Sequence, residues 1–188
     1  MGSLVSSLQG FCGRGHMTKA SIVMCGPSGA GKTTILYRMK LNESIITKPT
    51  IVFNRETLDI VDDMTLQVID VSLGGKIWPL MRQCLTDCDG FVFVVDSTVS
   101  ELFMDAKLDL ASLFTYTDDP LPFIVLANKQ DQEGACSPSQ VACHLDLLKS
   151  QHHKGDVFGC SGITGDGLKE ALGNLCSRIK ENRLQKRP

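Results

Sequence analysis

Short apolar runs alternate along this chain with longer segments in which apolar residues recur every three or four positions. Apolar runs rich in β-branched and aromatic residues predict buried strands, and the periodic segments predict helices that cover them. The predicted strands are residues 20–25, 64–71, 90–96, 121–127 and 156–160. Because their apolar residues are nearly continuous, these strands are typical of a parallel sheet buried on both faces. The pattern therefore predicts an α/β fold with helices on both faces of a mostly parallel sheet.

An edge strand and two clearly marked helices complete the predicted fold. Residues 55–60 predict a sixth, antiparallel edge strand that turns at 62–63. A helix is predicted over 137–149, since Ser137 can cap its N-terminus and Pro138 suits the first helical position. A last helix is predicted from a stripe of apolar residues at helical spacing, formed by Leu168, Ala171, Leu172, Leu175 and Ile179.

Length and cysteine content narrow the class of protein. The 188 residues suit a single domain, since a fold of that size buries about 70% of its unfolded surface. The net charge of −2 does not indicate a class of partner. Eight cysteines occur without any CxxC pair. Many of them fall within apolar elements, as do Cys25, Cys143 and Cys176. We expect reduced, buried thiols of a cytosolic protein; a metal site at Cys84 and Cys88, or at 152–153, is a disfavoured alternative.

Residues 26–33 read Gly-Pro-Ser-Gly-Ala-Gly-Lys-Thr, which matches the phosphate-binding pattern G-x-x-x-x-G-K-[ST] in full. The loop follows a predicted strand and leads into a helical segment, where backbone amides and the helix N-terminus can bind phosphate; this context disfavours a chance match. Lys32 would reach the β and γ phosphate oxygens, and Thr33 would offer its hydroxyl to Mg²⁺. The predicted phosphate-binding residues are Gly26, Pro27, Ser28, Gly29, Ala30, Gly31, Lys32, Thr33 and Thr34.

A second motif predicts which base is bound. The apolar strand 121–127 leads into Asn128-Lys129-Gln130-Asp131, and ligands of open α/β sheets bind outside such carboxyl ends. The Asp131 carboxylate can accept two hydrogen bonds from the N1 and N2 edge of guanine, whereas adenine offers no matching donor pair. Asn128 could bond the base and tie this segment to the phosphate-binding loop, and the stem of Lys129 could lie over the ring. The two motifs together favour a guanine nucleotide.

With these motifs the chain resembles the ADP-ribosylation-factor-like (Arf-like) small GTPases over essentially its whole length. The segments that carry the resemblance are residues 31–37, 48–54, 76–80, 94–97, 126–131 and 164–168. It implies a small G domain that binds GTP or GDP with Mg²⁺. By the same resemblance Thr50 is the switch I threonine, which joins Thr33 at Mg²⁺ and meets the γ-phosphate in the GTP state. Asp70 corresponds to the switch II aspartate, and Ser161 and Gly162 to a final guanine-contacting loop.

Switch II departs from the family pattern. Residues 70–74 read Asp-Val-Ser-Leu-Gly where Arf-like proteins usually have D-V-G-G-Q. Gly74 therefore replaces the glutamine that orients the attacking water, and Leu73 replaces the glycine whose N–H meets the γ-phosphate. A one-residue bulge could let Gly74 take the role of that glycine, but the residues that follow fit the ungapped register. Nucleotide binding is therefore better supported than hydrolysis.

The N-terminal residues predict an anchor to a membrane surface. Gly2 and Ser6 satisfy the N-myristoylation pattern. An apolar stripe follows, formed by Leu4, Val5, Leu8, Phe11 and Cys12. One acyl chain binds membranes reversibly, so the amphipathic helix would supply a second contribution. Alternatively the helix packs into a groove of the domain; in the family, GDP favours the packed form and GTP the membrane form. The apolar stretches are too short to span a bilayer, and the N-terminus lacks the apolar core of a secretory signal.

The expected division is a myristoylatable N-terminal helix at 1–18, a small GTPase domain at 19–182 and a basic tail at 183–188. We expect a cytoplasmic monomer, peripherally bound to the cytosolic face of a membrane, with protein effectors and exchange factors as partners and no nucleic acid. One hypothesis is a GTP-operated switch that still cycles, in membrane trafficking or signalling. The other is a non-cycling module, GTP-locked or nucleotide-insensitive, that recruits partners to a membrane. A P-loop nucleoside kinase is disfavoured, because the N-K-x-D motif and the switch I threonine would then be idle.

Overall fold

The computed structural model describes residues 18–41, 53–61, 63–72, 78–117, 120–147 and 155–186. The strands in these residues are β1 (Thr18–Cys25), β2 (Phe53–Val61), β3 (Met64–Val71), β4 (Gly90–Asp96), β5 (Phe123–Asn128) and β6 (Asp156–Gly159). The helices are α1 (Lys32–Leu41), α2 (Trp78–Thr86), α3 (Phe103–Phe114), α4 (Pro138–His144) and α5 (Leu168–Gln185), with a 3₁₀ turn at Ser100–Leu102 before α3. Apart from the consecutive strands β2 and β3, strands and helices alternate along the chain, as the hydrophobic pattern predicts.

The strands form one sheet in the order β2-β3-β1-β4-β5-β6. β1 lies inside the sheet and pairs in parallel with β3 and β4, while β5 and β6 continue the parallel pairing on one side. β2 is the antiparallel edge strand, and its register against β3 shifts between Leu58 and Val61. The prediction of a mostly parallel six-stranded sheet with one antiparallel edge strand is confirmed.

β1 separates two apolar cores because its successive side chains point to opposite faces of the sheet. Ile22 and Met24 pack in a cluster with residues of α1 and α5, whereas Val23 and Cys25 pack in a cluster with residues of α2, α3 and α4. These β1 side chains are fully buried. A strand that is packed on both faces gives the loop that follows it a rigid base, and the phosphate-binding motif begins directly after this strand.

The start of α4 agrees with the prediction and its end does not. Ser137 Oγ accepts a hydrogen bond from the Gln140 N–H (3.3 Å), and the Gln140 side chain accepts one from the Ser137 N–H (2.8 Å). This reciprocal cap fixes the first turn. The helix ends at His144 rather than at 149, and Asp146 then adopts a left-handed φ of 54°, a conformation that commonly follows helix ends.

The last helix extends to Gln185, into the segment 183–188 that the sequence analysis assigns to a basic tail. Arg183 lies within α5, and its Nε donates to Asp89 Oδ1 (3.0 Å) while Nη2 donates to the Lys19 carbonyl (2.8 Å). Asp89 Oδ2 in turn accepts from the Ser21 N–H at 2.8 Å. These bonds fasten the end of α5 to the first strand, which explains why the helical conformation continues past 182.

The predicted membrane anchor lies almost wholly outside the described residues. Residues 1–17, with the predicted acylation site Gly2, are not among them, and Thr18 is the first residue of β1. Of the helices that the structure describes, none is long and apolar enough to cross a membrane. The anchor therefore stays a prediction.

The cysteines within the described ranges are free thiols. Cys25, Cys160 and Cys176 are buried, but Cys143 is exposed on α4, so the expectation of a buried thiol is wrong at that position. Burial raises the pKa of Cys160 and of Cys88 to about 12, which keeps both thiols protonated at neutral pH. These ranges contain no group of three His, Cys, Asp or Glu side chains that could hold a metal ion.

Candidate functional site

The phosphate-binding motif forms a tight loop between β1 and α1. Gly26, Gly29 and Gly31 have φ values of 140°, 80° and 91°, which other residues rarely adopt. A Cβ at Gly26 would lie 2.1 Å from the Val94 carbonyl oxygen, and a Cβ at Gly31 would lie 2.3 Å from Nδ2 of Asn128. The loop therefore packs against β4 and Asn128 so closely that neither glycine could carry a side chain without displacing its neighbours.

Lys32 places a cation inside this loop. It is the first residue of α1 and is 5% exposed. Its Nζ donates to the carbonyl oxygens of Gly26 (2.8 Å) and Pro27 (2.7 Å). Burial lowers the pKa of Lys32, while the charge of Asp70 acts in the opposite direction. An anion beside a buried ammonium that is held by neutral carbonyls would be strongly favoured, and phosphate is the anion that this type of loop accepts.

Thr33 and Asp70 bring two oxygen atoms together at the start of α1. Thr33 Oγ1 donates to Asp70 Oδ2 at 2.6 Å, and Asp70 is fully buried near the end of β3. Hydroxyl and carboxylate oxygens are the hard donors that Mg²⁺ binds in proteins, usually together with phosphate oxygens. The residues present therefore fit a magnesium nucleotide. Thr50, the second predicted metal ligand, lies outside the described residues.

Asn128 joins three loops through one amide group. Its Nδ2 donates to the Ala30 carbonyl at 2.7 Å, and its Oδ1 accepts from the Gly162 N–H at 2.9 Å. The Cys160 sulfur lies 3.7 Å from the same Oδ1. Asn128 is 2% exposed, so these hydrogen bonds are shielded from competing water. The side chain fixes the phosphate-binding loop, the end of β5 and the loop after β6 relative to one another.

Lys129 and Asp96 form an ion pair at the carboxyl ends of β5 and β4, with 2.5 Å between Nζ and Oδ2. Burial acts to raise the pKa of Asp96, but hydrogen bonds from Lys129 and Thr98 outweigh it and leave the pKa below its usual value. Lys129 has a left-handed φ of 68°, so the chain turns sharply as it leaves β5. Asp131 follows in an exposed position. The N-K-x-D segment therefore turns across the top of the sheet, with its lysine held in place.

Sequence reasoning missed two residues that support this segment, Ser97 and Gln130. Gln130 Nε2 donates to Ser97 Oγ (3.0 Å) and to the Cys136 carbonyl (2.9 Å), and the Gln130 N–H donates to the Cys160 carbonyl (3.0 Å). Ser97 is fully buried. Their positions in the sequence could have identified them, because both residues closely follow apolar strands. In a parallel sheet the residues that follow the strands meet at one edge, where ligands bind. Gln130 thus braces the N-K-x-D segment against β4 and β6.

Ser161 shapes the loop after β6. It is 1% exposed, and its Oγ accepts from the backbone N–H groups of Ile163 (3.1 Å) and Thr164 (3.0 Å). A Cβ at Gly162 would lie 3.2 Å from Cγ1 of Ile35, so the loop also packs closely against α1. The serine hydroxyl therefore supports the turn from inside, while the Gly162 N–H is bonded to Asn128.

Several predicted site residues lie outside the described ranges. They are Gly2, Thr50, Leu73 and Gly74. The structure brings together the phosphate-binding loop, Asp70, the N-K-x-D segment and the loop at Ser161. The roles of switch I and of the later residues of switch II stay predictions.

A mostly parallel sheet with a G-x-x-x-x-G-K-T loop after β1 and an N-K-x-D segment after β5 defines a P-loop protein of the small GTPase class. Residues 5–179 match the model of the ADP-ribosylation factor family. The chain is 37% identical over 171 residues to ADP-ribosylation factor-like protein 1 of Saccharomyces cerevisiae, an alignment that covers 90% of this chain and 93% of that protein. It is 36% identical over 170 residues to ADP-ribosylation factor-like protein 4D of Homo sapiens, covering 87% and 85% respectively.

Comparison with solved structures agrees with the sequence relatives. The Arl6 BBS3 small GTPase of Trypanosoma brucei, solved with the bound nucleotide analogue GppNp, superposes with a TM-score of 0.78 at 26% identity, covering 87% of this chain and 99% of that one. The chain therefore belongs to the ADP-ribosylation factor family. It is a GTP-binding protein with a regulatory role, and its partners are guanine nucleotide and protein effectors or regulators.

Proposed function

We propose that this chain is a membrane-associated guanine-nucleotide switch of the Arf-like type, which recruits effectors in its GTP form and hydrolyses GTP very slowly, in membrane trafficking or signalling. The observation that carries the nucleotide site is the Asn128 amide, bonded at once to Ala30 in the phosphate-binding loop and to Gly162 after β6. Because this amide is buried between the loops, it supports one continuous site formed from three separate motifs.

Each motif has a distinct role in this proposal. The phosphates would bind in the loop of residues 26–31, where the Lys32 ammonium would exchange its two carbonyl partners for phosphate oxygens. Asp131 would accept hydrogen bonds from the guanine edge. Bound Mg²⁺, held by Thr33 and in the GTP state by Thr50, would neutralise charge on the β and γ phosphates.

A competition titration against fluorescent GDP tests the guanine site. GTP and GDP should displace the probe and ATP should not; equal displacement by ATP would refute the assignment. Asp131→Asn should shift the preference toward xanthine nucleotides, because the amide can donate to the xanthine O2. Lys32→Ala should weaken binding of every nucleotide, whereas Lys19→Ala changes an exposed lysine on β1 and should bind as the parent does.

Weak hydrolysis is inferred from the sequence of switch II. Gly74 has no side chain to orient the attacking water, and Leu73 carries a Cβ where the family has glycine. Small GTPases that keep the glutamine turn over unaided at about 10⁻⁴ s⁻¹, so we expect this chain at or below that rate. Leu73→Gly with Gly74→Gln should recover more activity than either change alone, since both act on one transition state. Single-turnover hydrolysis by the parent at an ordinary rate would show that another residue positions the water.

The same two residues favour a second candidate, a non-cycling module that is GTP-locked or insensitive to nucleotide. Analysis of the nucleotide that co-purifies with the protein separates the candidates. GDP alone would indicate a cycling switch, retained GTP would indicate a locked one, and absence of nucleotide together with failure of the titration above would indicate the insensitive module.

The membrane part of the proposal is inferred from residues 1–18. Gly2→Ala should block acylation and release the protein from liposomes, and Leu8→Glu should do so in part even with the lipid attached, because chain and helix each contribute a share of the binding free energy. Flotation of acylated and non-acylated protein is the measurement. Identical flotation of the two forms would remove the anchor from the proposal.

A further inference from the structure

The outward face of α3 carries an apolar stripe that the nucleotide site does not use. Met104 and Leu108 are 63% and 60% exposed, and exposed Ala111 continues the stripe one turn later. The opposite face of the helix packs in the core through Phe103, Ala106, Leu110 and Leu113. Exposed apolar side chains that cluster on one helix face mark contact surfaces, unlike single exposed residues.

An acidic edge runs along one side of this stripe. Asp105 and Asp109 lie one helical turn apart, and Glu101 is exposed in the 3₁₀ turn that precedes α3. Burial, followed by repulsion from Asp105, raises the pKa of Asp109. Like charges at this spacing destabilise a helix, so a cation bound along this edge would relieve the repulsion.

The other side of the stripe is electrically neutral. Lys107 lies on this side and forms an ion pair with Asp146, which follows the end of α4. The stripe therefore lies between a negative edge and a neutralised one. A complementary partner would need positive charge along one side only.

A cavity opens at the N-terminal end of the same helix, between α3 and the phosphate-binding loop. It has a volume of about 170 Å³. Its wall has an apolar part, formed by Pro27, Ala30, Val95, Phe103 and Ala106, and a polar part that includes the ion pair of Asp96 and Lys129. Leu102 also lines the cavity and is 43% exposed, so the cavity continues into the exposed surface of the helix. A cavity of roughly 150 Å³ can hold a benzene-sized group, so the volume of this partly open cavity suffices for one leucine or phenylalanine side chain, packed against its apolar part.

We infer that α3 and this cavity form a docking surface for a partner protein that presents a basic amphipathic helix. One apolar side chain of the partner occupies the cavity, others cover Met104 and Leu108, and positive charges along one edge face Asp105 and Asp109. An anionic membrane does not fit this surface, because the acidic edge would be repelled from it. Since Pro27 and Ala30 belong to the phosphate-binding loop, docking and nucleotide binding would be reciprocally coupled. The inference depends neither on slow hydrolysis nor on acylation.

The probe for this surface is a synthetic helix of about four turns, with leucine at positions i, i+3, i+4 and i+7 and lysine along one edge. A twin peptide with glutamate in place of each lysine is the charge control. Fluorescence anisotropy with the full chain should show saturable binding of the lysine peptide and binding of the glutamate twin weaker by about tenfold or more. Equal affinity for the two peptides would overturn the inference.

Surface variants locate the site without disturbing the core. Met104→Gln and Leu108→Gln should each weaken binding of the lysine peptide by about tenfold, the effect of removing a central apolar anchor. Asp105→Lys should weaken it and reduce its salt dependence. Leu184→Gln is the matched control, since Leu184 is 64% exposed on α5, and it should bind as the parent does. Unchanged affinity in the Met104 and Leu108 variants would overturn the assignment.

Two other occupants of the surface give distinct outcomes. If residues 1–17 of this chain covered α3, Leu8→Glu would raise the affinity for the lysine peptide, and that result would overturn the inference. If the face bound a membrane, Met104→Gln and Leu108→Gln would lower flotation with anionic vesicles, which would overturn it as well. Unchanged flotation together with weaker peptide binding would support the protein partner.

Discussion

Replacing Asn128 by alanine should destabilise the domain far more than the loss of an exposed amide would. The change removes the group that donates to the Ala30 carbonyl (2.7 Å) and accepts from the Gly162 N–H (2.9 Å), in a side chain that is 2% exposed. A buried polar group left without its partner costs about 1 to 3 kcal/mol. The change leaves two such groups, but a water molecule can enter the vacated space and replace part of the bonding. We therefore expect the free energy of unfolding to fall by about 3 kcal/mol, less than the largest loss that two unpaired groups could cause. For a domain of this size that is a fall in Tm of about 6 to 12 °C.

Thermal unfolding followed by circular dichroism measures this loss, at one fixed nucleotide concentration because bound ligand shifts the apparent stability. Asn182→Ala is the control: its Nδ2 also donates to a carbonyl, that of Pro120 at 3.4 Å, but at a solvent-exposed position, and the change should stay within about 0.5 kcal/mol. Asn128→Asp separates the two bonds. The carboxylate can still accept from the Gly162 N–H but places an oxygen against the Ala30 carbonyl, so it should destabilise at least as much as alanine does.

A Tm for Asn128→Ala within about 2 °C of the parent would refute this reasoning. It would show that the phosphate-binding loop and the loop after β6 hold their positions without the amide. The same variant should release GDP faster than the parent. Faster release with an unchanged Tm would mean that Asn128 acts on the ligand directly and not through the assembly of the loops.

Three further predictions address other parts of the fold. Gly167→Ala should cost about 2 kcal/mol or more in urea unfolding, since φ is 73° and the added Cβ would lie 2.1 Å from a carbonyl oxygen of β6. Iodoacetamide at pH 8, followed by mass spectrometry, should modify exposed Cys143 and spare Cys160, because burial raises the pKa of Cys160 to about 12. The hydrogen bond from Lys40 holds the pKa of Glu56 below its usual value of about 4.3, so its stabilisation is present above that value and is lost as pH falls through the folded pKa. Glu56→Gln should reduce the loss of folding stability at acid pH by less than about 1 kcal/mol, as expected for an exposed ion pair.

The strands could be predicted from the sequence because a short run of consecutive apolar residues indicates a segment that is buried on both faces. β3 and β4 begin and end where the hydrophobic pattern places them. The end of α4 was not predictable in this way, because Leu145 keeps the apolar spacing, and both Leu145 and Leu147 are buried, although the helix has already ended. Apolar periodicity reports which residues reach the core, and a turn can bring them there as well as a helix can.

The end of α5 depends on a contact that local sequence does not reveal. Arg183 is hydrogen-bonded to Asp89, which lies 94 positions earlier in the chain. Without knowledge of that contact, the sequence is equally consistent with Arg183 in a basic tail. The site shows the same limit. The tie from Asn128 to the phosphate-binding loop could be inferred from the motifs, whereas the bond from Gln130 to Ser97 follows from the pairing of β4 with β5 and needed the structure.

The nucleotide site and the face of α3 have one physical property in common, namely charge that the fold itself leaves poorly compensated. In the site, the Lys32 ammonium donates to neutral carbonyls, and burial lowers its pKa although the charge of Asp70 acts in the opposite direction. On α3, Asp105 and Asp109 repel each other beside an exposed apolar stripe. A bound phosphate would relieve the first arrangement, and a basic helix would relieve the second. Each ligand would then bind more tightly, because it would remove an unfavourable electrostatic interaction that is already present in the folded domain. The loop of residues 27–30, which lines the cavity at α3, is also the loop in which the phosphates would bind, so the two gains would not be independent.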